Sequence, residues 1–144
     1  MSGMKNKLIG LDTNIFIYQF QSHPQFGKKT QSIFFQLAAN KVKAITSIIT
    51  VTEVLAFKKS EDIVSELKNL LLEVPNLEMK EVSREIALEA ARIRRKYGFR
   101  LPDALQLATA LTEKADIFIT NDIKLHGFKE IKIVSLQKFA KEKL

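Results

Sequence analysis

The chain has 144 residues, of which 46% are hydrophobic, so it is long enough for one globular domain and too short for two. It contains no cysteine, which excludes a disulfide framework and thiolate chemistry and fits a reducing cytoplasm. No stretch approaches the ~20 apolar residues of a membrane-spanning helix. The net charge of +7 favours a polyanionic partner such as nucleic acid, although a lysine-rich surface explains it equally well.

The first half of the chain predicts two strands, each followed by helices. NKLIGL has the apolar run of a buried strand, and TNIFIYQF begins a helix directly after it. GKKTQSIFFQLAAN carries Ile33, Phe34, Leu37 and Ala38 at helical spacing. KVKAITS predicts a second strand, and IITVTEVLAF turns into a helix. EDIVSELKNLLLEV predicts an amphipathic helix that ends before Pro75.

The second half continues the alternation. NLEMKEV predicts a short strand, and SREIALEAARIRRKYG predicts a helix with Ser83 as N-cap and Gly98 past its end. LPDALQLATALTEKA predicts a helix with Pro102 in its first turn. DIFIT and EIKIVS predict two more strands, and LQKFAKEKL predicts a closing helix. This order predicts an α/β fold with a mostly parallel central sheet and helices on both faces, whose sites lie beyond the carboxyl ends of the strands.

The domain is expected to span residues 4–144. Met1, Ser2 and Gly3 precede a second methionine, Met4, and are interpreted as residues left by cloning. The N-terminus lacks the apolar segment of a signal peptide.

Four acidic residues are predicted to lie at the carboxyl edge of the sheet. Asp12 ends the first strand, Glu53 follows the second by one or two helical turns, Asp103 lies in the first turn of a helix, and Asp122 follows DIFIT. Two carboxylates ~4 Å apart repel by about 4 kcal/mol at an effective dielectric of about 20. A converging set therefore requires protonation or a cation, and oxygen ligands favour Mg²⁺ or Mn²⁺.

Each acid also has an ordinary structural explanation. Asp12 could cap the first helix, Thr50 and Glu53 fit a capping box, Asp103 could interact only with the helix dipole, and Asp122 could be a turn residue. Taken singly, the structural explanation is favoured for Glu53 and Asp122 and is about even for the other two. The coincidence of four acids at one edge is what favours a site.

The motifs LDTNIFI, TSIITVTEVL, LPDALQLATAL and IFITNDIKL occur in this order and cover nearly the whole chain. With them the sequence resembles the PIN-domain family, and most closely the VapC-type toxins of toxin–antitoxin pairs. The resemblance implies a three-layer α/β/α domain that acts as a metal-dependent endoribonuclease, and the absence of cysteine is what places this domain in the cytoplasm by expectation. It also implies a homodimer and inhibition by a small antitoxin protein. The segment between Ala56 and Arg92 carries no family motif, so the toxin assignment is less specific than the nuclease assignment.

The resemblance also assigns roles to individual residues. The acids at the positions of the family's metal ligands, which in the family hold Mg²⁺ or Mn²⁺ and activate a water, are Asp12, Glu53, Asp103 and Asp122. The polar residues at positions that orient the site or its water are Thr13, Asn14 and Thr120.

Three other functions stay open at this point. One is a PIN nuclease that processes RNA without being a toxin, and another is a non-catalytic RNA-binding module whose acids cap helices. A phosphatase with a covalent aspartyl phosphate is disfavoured, because Asn14 stands where such enzymes place a second acid.

The basic segment ARIRRKYGFR lies just before Asp103. Its residues predicted to guide RNA phosphates toward the site are Arg92, Arg95, Lys96 and Arg100. The alternative is a solvated helix face on which Glu85 and Glu89 pair with the arginines. Gln106, one turn beyond Asp103, is predicted to face the same way and support the site, with an ordinary surface position as the alternative.

Overall fold

A computed structural model describes residues 7–56 and 59–141. Within these ranges the five strands are β1 (Lys7–Leu11), β2 (Val42–Ser47), β3 (Leu77–Lys80), β4 (Ile117–Ile119) and β5 (Lys132–Val134). The seven α-helices there are α1 (Thr13–Phe20), α2 (Gly27–Ala38), α3 (Ile49–Leu55), α4 (Glu61–Leu72), α5 (Arg84–Tyr97), α6 (Leu101–Thr112) and α7 (Leu136–Lys141).

The predicted elements agree with these bounds. Ser83 caps α5 by accepting a hydrogen bond from Ile86 N at 3.1 Å, and Gly98 ends it with φ +77°, which only glycine adopts readily. A short 3₁₀ helix, Ile123–Gly127, was not predicted. The interpretation of residues 1–3 as a cloning remnant concerns residues outside the described ranges, and the domain bounds of 4–144 stay a prediction.

All five strands are parallel and lie in the order β3-β2-β1-β4-β5. The chain runs outward from β1 through β2 to β3, returns to β4 on the other side of β1, and ends at β5. The strand order thus reverses between β1 and β4, where the diverging loops of a parallel sheet leave a crevice at its carboxyl edge. The predicted α/β fold is confirmed, and the sheet is parallel throughout.

Helices cover both faces of the sheet. On one face, α5 and α6 pack over Ile45 and Phe118; on the other, α1, α2, α3 and α7 pack over Ile9 and Leu11. Gly10 lets α6 approach β1 closely, because a Cβ there would lie 2.8 Å from the Phe118 ring and 3.1 Å from the Ala110 Cβ. The result is the three-layer α/β/α arrangement.

The predicted apolar face of α4 is only partly covered. Its members are Ile63, Leu67, Leu70 and Leu71. Leu71 is buried, whereas Ile63 is 43% exposed and Leu70 is 46% exposed. The helix lies at the periphery with α3 and α1 as its main neighbours, so only one end of its face enters the core. No helix within the described ranges combines the length and apolarity needed to cross a membrane.

Candidate active site

Asp12 lies at the carboxyl end of the central strand, beside the point where the strand order reverses. It directly follows β1 and is the N-cap of α1. Its Oδ1 accepts a hydrogen bond from Thr13 N at 2.8 Å, and its Oδ2 accepts one from the Thr120 hydroxyl at 2.7 Å. The residue is 6% exposed. The capping role and a role in a site are therefore compatible, because each carboxylate oxygen accepts one hydrogen bond and keeps a second lone pair.

The environment of Asp12 opposes its ionisation. Burial raises its pKa from 3.8 to about 6, and the charges of Asp103 and Glu53 raise it further, against the hydrogen bonds from Thr120 and Thr13. A buried carboxylate with acidic neighbours and only neutral donors is an unbalanced negative charge. The arrangement favours either a proton or a bound cation.

Thr120 connects Asp12 to Asp122. The Thr120 hydroxyl donates to Asp12 and accepts a hydrogen bond from Asp122 N at 3.0 Å. Thr120 directly follows β4 and is fully buried. Asp122 caps the 3₁₀ helix, since its Oδ1 accepts from Lys124 N at 3.0 Å. Asp122 thus fills the turn role considered above and also lies next to the acidic site.

Asp103 lies in the first turn of α6 with its side chain 14% exposed. Burial raises its pKa, as does the charge of Asp122, whereas Arg100 and Lys124 act in the opposite direction. Arg100 Nε lies 3.5 Å from Asp103 Oδ2. This side of the site therefore combines acids with two cations, unlike the surroundings of Asp12.

Glu53, on α3, faces α1 rather than its own helix terminus. The Thr13 hydroxyl donates to Glu53 Oε1 at 2.6 Å. The capping-box explanation is wrong in structure, because α3 begins after Ile48 without a side-chain cap, and the Thr50 hydroxyl lies 2.7 Å from that of Thr46. Glu53 is instead linked by Thr13 to the chain segment that carries Asp12.

Gln106 lies behind the acids and is 2% exposed. Its side-chain amide contacts residues of β2, α3 and α1, so the alternative of an ordinary surface position is excluded. Asn14 is exposed on α1, and its side chain forms no hydrogen bond with the described residues.

The donor set fits a hard divalent cation by its chemistry. Asp12, Glu53, Asp103 and Asp122 offer only oxygen atoms, and the raised pKa of Asp12 marks an excess of negative charge. Within the described ranges, no three histidine, cysteine, aspartate or glutamate side chains are close enough to hold one ion between them. Mg²⁺ usually needs only one or two carboxylates, because waters and substrate phosphates complete its shell.

The basic residues predicted to bind RNA differ in their availability. The Arg92 guanidinium donates to Glu89 and Glu130, so the alternative of an internally paired arginine describes Arg92 better. Lys96 Nζ lies 3.5 Å from Glu130 Oε2 and 5.4 Å from the centre of the Tyr97 ring. Both are held on one side of α5.

Arg95 and Arg100 are exposed, and Arg100 lies beside Asp103. Two further residues near the acids were missed from the sequence. Lys124 is exposed and lowers the pKa of Asp103. Burial raises the pKa of Tyr18, and the charges of Asp12 and Asp122 raise it further, so its phenol lies near the acidic site. Lys124 lies two residues after Asp122 in the sequence, and this spacing could have indicated that it is near the acids. No feature of the sequence indicated the same for Tyr18.

Comparison with known proteins gives a consistent assignment. The PIN domain family model matches residues 9–132. A chain of VapBC2 from Rickettsia felis, solved bound to a promoter DNA fragment, superposes with a TM-score of 0.72 at 20% identity over 89% of this chain and 98% of that chain. A toxin–antitoxin complex from Klebsiella pneumoniae gives 0.66 at 23% identity, covering 91% and 98%.

VapBC-1 from nontypeable Haemophilus influenzae gives a TM-score of 0.66 at 20% identity, with coverage of 91% and 99%. No curated protein matches the sequence. The predicted similarity to VapC-type PIN domains is therefore confirmed at the level of the fold. Because the family model extends from β1 to β5, the chain belongs to the PIN domain family.

Proposed function

We propose that the protein is a metal-dependent endoribonuclease and the toxin of a VapBC-type toxin–antitoxin pair. PIN domains are nucleases, and the structurally similar chains come from toxin–antitoxin complexes. The observation that carries the proposal is Asp12, a carboxylate buried at the switch point of a parallel sheet with Asp103 and Glu53 close enough to raise its pKa. A bound cation would offset the repulsion between these carboxylates, so the cluster favours a cation-binding site.

Mg²⁺ or Mn²⁺ would bind among Asp12, Glu53, Asp103 and Asp122, with one or two of these carboxylates contacting the ion directly and waters completing its shell. A bound ion of this kind lowers the pKa of a coordinated water and neutralises charge on a phosphodiester. The protein itself keeps Asp12 in place through Thr120 and the backbone of Thr13.

Cationic side chains beside the acids are proposed to bind the RNA backbone. Arg100 is 75% exposed and its contact with Asp103 is long, at 3.5 Å, so it can exchange this partner for a phosphate at little cost. Lys124 and Arg95 are exposed and extend the positive surface. The net charge of +7 adds long-range attraction for the polyanion. We leave Arg92 out of this set because of its two glutamate partners.

The partner and setting follow from the same proposal. A small antitoxin protein would bind the toxin, the toxin would form a homodimer, and both would act in the cytoplasm. Co-expression with a candidate antitoxin, measurement of the mass of the purified complex and an assay for the loss of activity would test the first two points.

The experiment compares RNA cleavage by the parent protein in Mg²⁺, in Mn²⁺ and in EDTA with cleavage by Asp12→Asn and Asp103→Asn. Asp116→Asn is the matched control, because Asp116 is an exposed acid whose Oδ2 accepts from Leu8 N at the opposite edge of the sheet. Circular dichroism establishes that each variant is folded. A single-stranded DNA substrate is tested alongside the RNA.

We expect cleavage of RNA by the parent and the Asp116 variant, loss of cleavage in EDTA, and at least a 100-fold loss in the two site variants. Cleavage that survives EDTA or both site substitutions would disprove the carboxylate mechanism. RNA binding without cleavage would support the non-catalytic module, and cleavage of DNA alone would exclude RNA as the substrate.

A further inference from the structure

Behind the acids lies a buried hydrogen-bond network centred on Gln106. Its members beyond Gln106 are Thr13, Thr46, Ser47 and Thr50. All five residues are at most 5% exposed. Because buried polar groups in low dielectric are held strongly when every partner is present, such a network fixes the positions of its members.

The backbone fixes the orientation of the Gln106 amide. Ser47 N can only donate, and it lies 3.1 Å from Gln106 Oε1. The carbonyl oxygen must therefore face β2, and the Nε2 group must face Thr13 and Thr50, at 3.1 and 2.9 Å. Nε2 has two protons and thus donates one to each threonine hydroxyl.

Each hydroxyl has one proton, and the shortest contacts indicate which acceptor receives it. The Thr13 hydroxyl, which accepts from Gln106, donates to Glu53 Oε1 at 2.6 Å. The Thr50 hydroxyl donates to Thr46 at 2.7 Å, and Thr46 donates to the Leu11 carbonyl at 2.8 Å. The Thr13 hydroxyl also lies 3.2 Å from the Thr50 hydroxyl, but the Glu53 carboxylate is the closer acceptor and the charged one, so it receives the proton.

We infer that Gln106 is a positioning residue that fixes the carboxylate of Glu53 through Thr13 for metal binding. This inference rests on the proposed function of the site. Gln106 makes Thr13 a donor toward Glu53, which holds Oε1 against α1. Among the described residues no hydrogen bond reaches Glu53 Oε2, so that oxygen is the one left for a ligand. Partners of this kind typically change metal affinity 10- to 100-fold when removed.

The test measures Mn²⁺ binding to the RNA-free protein by electron paramagnetic resonance, together with the thermal midpoint. Gln106→Met keeps the length of the side chain and removes both polar groups. Gln106→Glu is the second variant, because it keeps the oxygen that accepts from Ser47 N and removes the amide donors. Thr109→Val is the control, since the Thr109 hydroxyl is buried on the same helix and donates to Leu105 O at 2.7 Å, away from the acids.

Both Gln106 variants should bind Mn²⁺ at least 10-fold more weakly, whereas Thr109→Val should lower the thermal midpoint without changing Mn²⁺ affinity. Thr13→Val should weaken Mn²⁺ binding to a similar degree, and Gln106→Met should add little in the Thr13→Val background, because both remove the same link.

Two results would overturn the inference while leaving the proposed function intact: unchanged Mn²⁺ affinity in both Gln106 variants, or additive losses in the double variant. Additive losses would mean that Gln106 does not act through Thr13. A parent protein that binds no Mn²⁺ would overturn both the inference and the metal-dependent nuclease.

Discussion

The buried charge of Asp12 predicts that its removal stabilises the metal-free protein at neutral pH. Burial raises the pKa of Asp12 from 3.8 to about 6. Below pH 3.8 the group is protonated in both the folded and the unfolded chain and costs nothing. Between these pH values only the unfolded chain releases the proton, so the free energy of unfolding decreases as the pH rises. Above about pH 6 the full cost is reached, about 3 kcal/mol.

Asp12→Asn removes this cost but loses one acceptor. Asp12 accepts from Thr13 N and from the Thr120 hydroxyl on different oxygens, and asparagine has only one oxygen. The lost hydrogen bond costs about 1 kcal/mol. The expected net gain in the free energy of unfolding is therefore about 2 kcal/mol at pH 7.5. At pH 5, where the charge costs about half as much, the gain should shrink to below about 1 kcal/mol.

The assay is urea unfolding followed by circular dichroism, in EDTA, at both pH values, with Asp116→Asn as the control. Adding Mn²⁺ at pH 7.5 should stabilise the parent and the control but not the Asp12 variant. A variant that is no more stable than the parent at pH 7.5, or whose gain is the same at both pH values, would refute the reasoning that Asp12 is a strained buried charge.

Three further predictions concern other parts of the molecule. Gly10→Ala should lower the free energy of unfolding by about 1–3 kcal/mol in urea titrations, because its Cβ meets Phe118 at 2.8 Å. The pKa of Glu130 is lowered to about 2, mainly by Arg92, so Glu130→Gln should cost about 1 kcal/mol at pH 7 and less as the pH falls toward 2. Lys124→Ala should weaken RNA binding and reduce its salt dependence by one phosphate contact, as measured by fluorescence anisotropy.

The helices and strands, and the edge of the sheet at which the site lies, could be predicted from the sequence because local patterns determine them. Buried parallel strands give apolar runs, caps such as Ser83 mark helix starts, and parallel topology brings the carboxyl ends of strands together. Asp12 and Thr120 follow the adjacent strands β1 and β4, so their proximity follows from the sheet alone. Metal binding and RNA cleavage stay predictions.

Side-chain pairing could not be predicted, because it depends on registers and rotamers that the sequence does not reveal. Arg92 pairs with Glu89 on its own helix, as the spacing allows, and also with Glu130, which lies 38 positions later in the chain. Its predicted contact with RNA stays a prediction. The spacing of Thr50 and Glu53 fits a capping box, yet the Thr50 hydroxyl contacts Thr46 of the sheet and the amide of Gln106. In each case, spacing along one helix does not reveal a partner that belongs to another element.

The acidic site has two electrostatically different halves. The carboxylates of Asp12 and Glu53 are held by neutral donors, the hydroxyls of Thr120 and Thr13 and the Thr13 backbone, and no ion pair reaches them from the described residues. Asp103, by contrast, has Arg100 and the field of Lys124 beside it.

A neutral donor orients a carboxylate without cancelling its charge, whereas a cation cancels it. The half around Asp12 is thus preorganised for a cation that the protein does not supply, at a cost in stability of about 3 kcal/mol. The half around Asp103 presents positive charge outward, where a phosphate would arrive. This asymmetry predicts an order of binding, because a polyanion reaches the uncompensated half only after a metal ion has neutralised it. Accordingly, Mn²⁺ should strengthen RNA binding by the parent protein, whereas the RNA affinity of the Asp12→Asn variant should no longer depend on Mn²⁺. Equal Mn²⁺ dependence in the two proteins would contradict this order of binding.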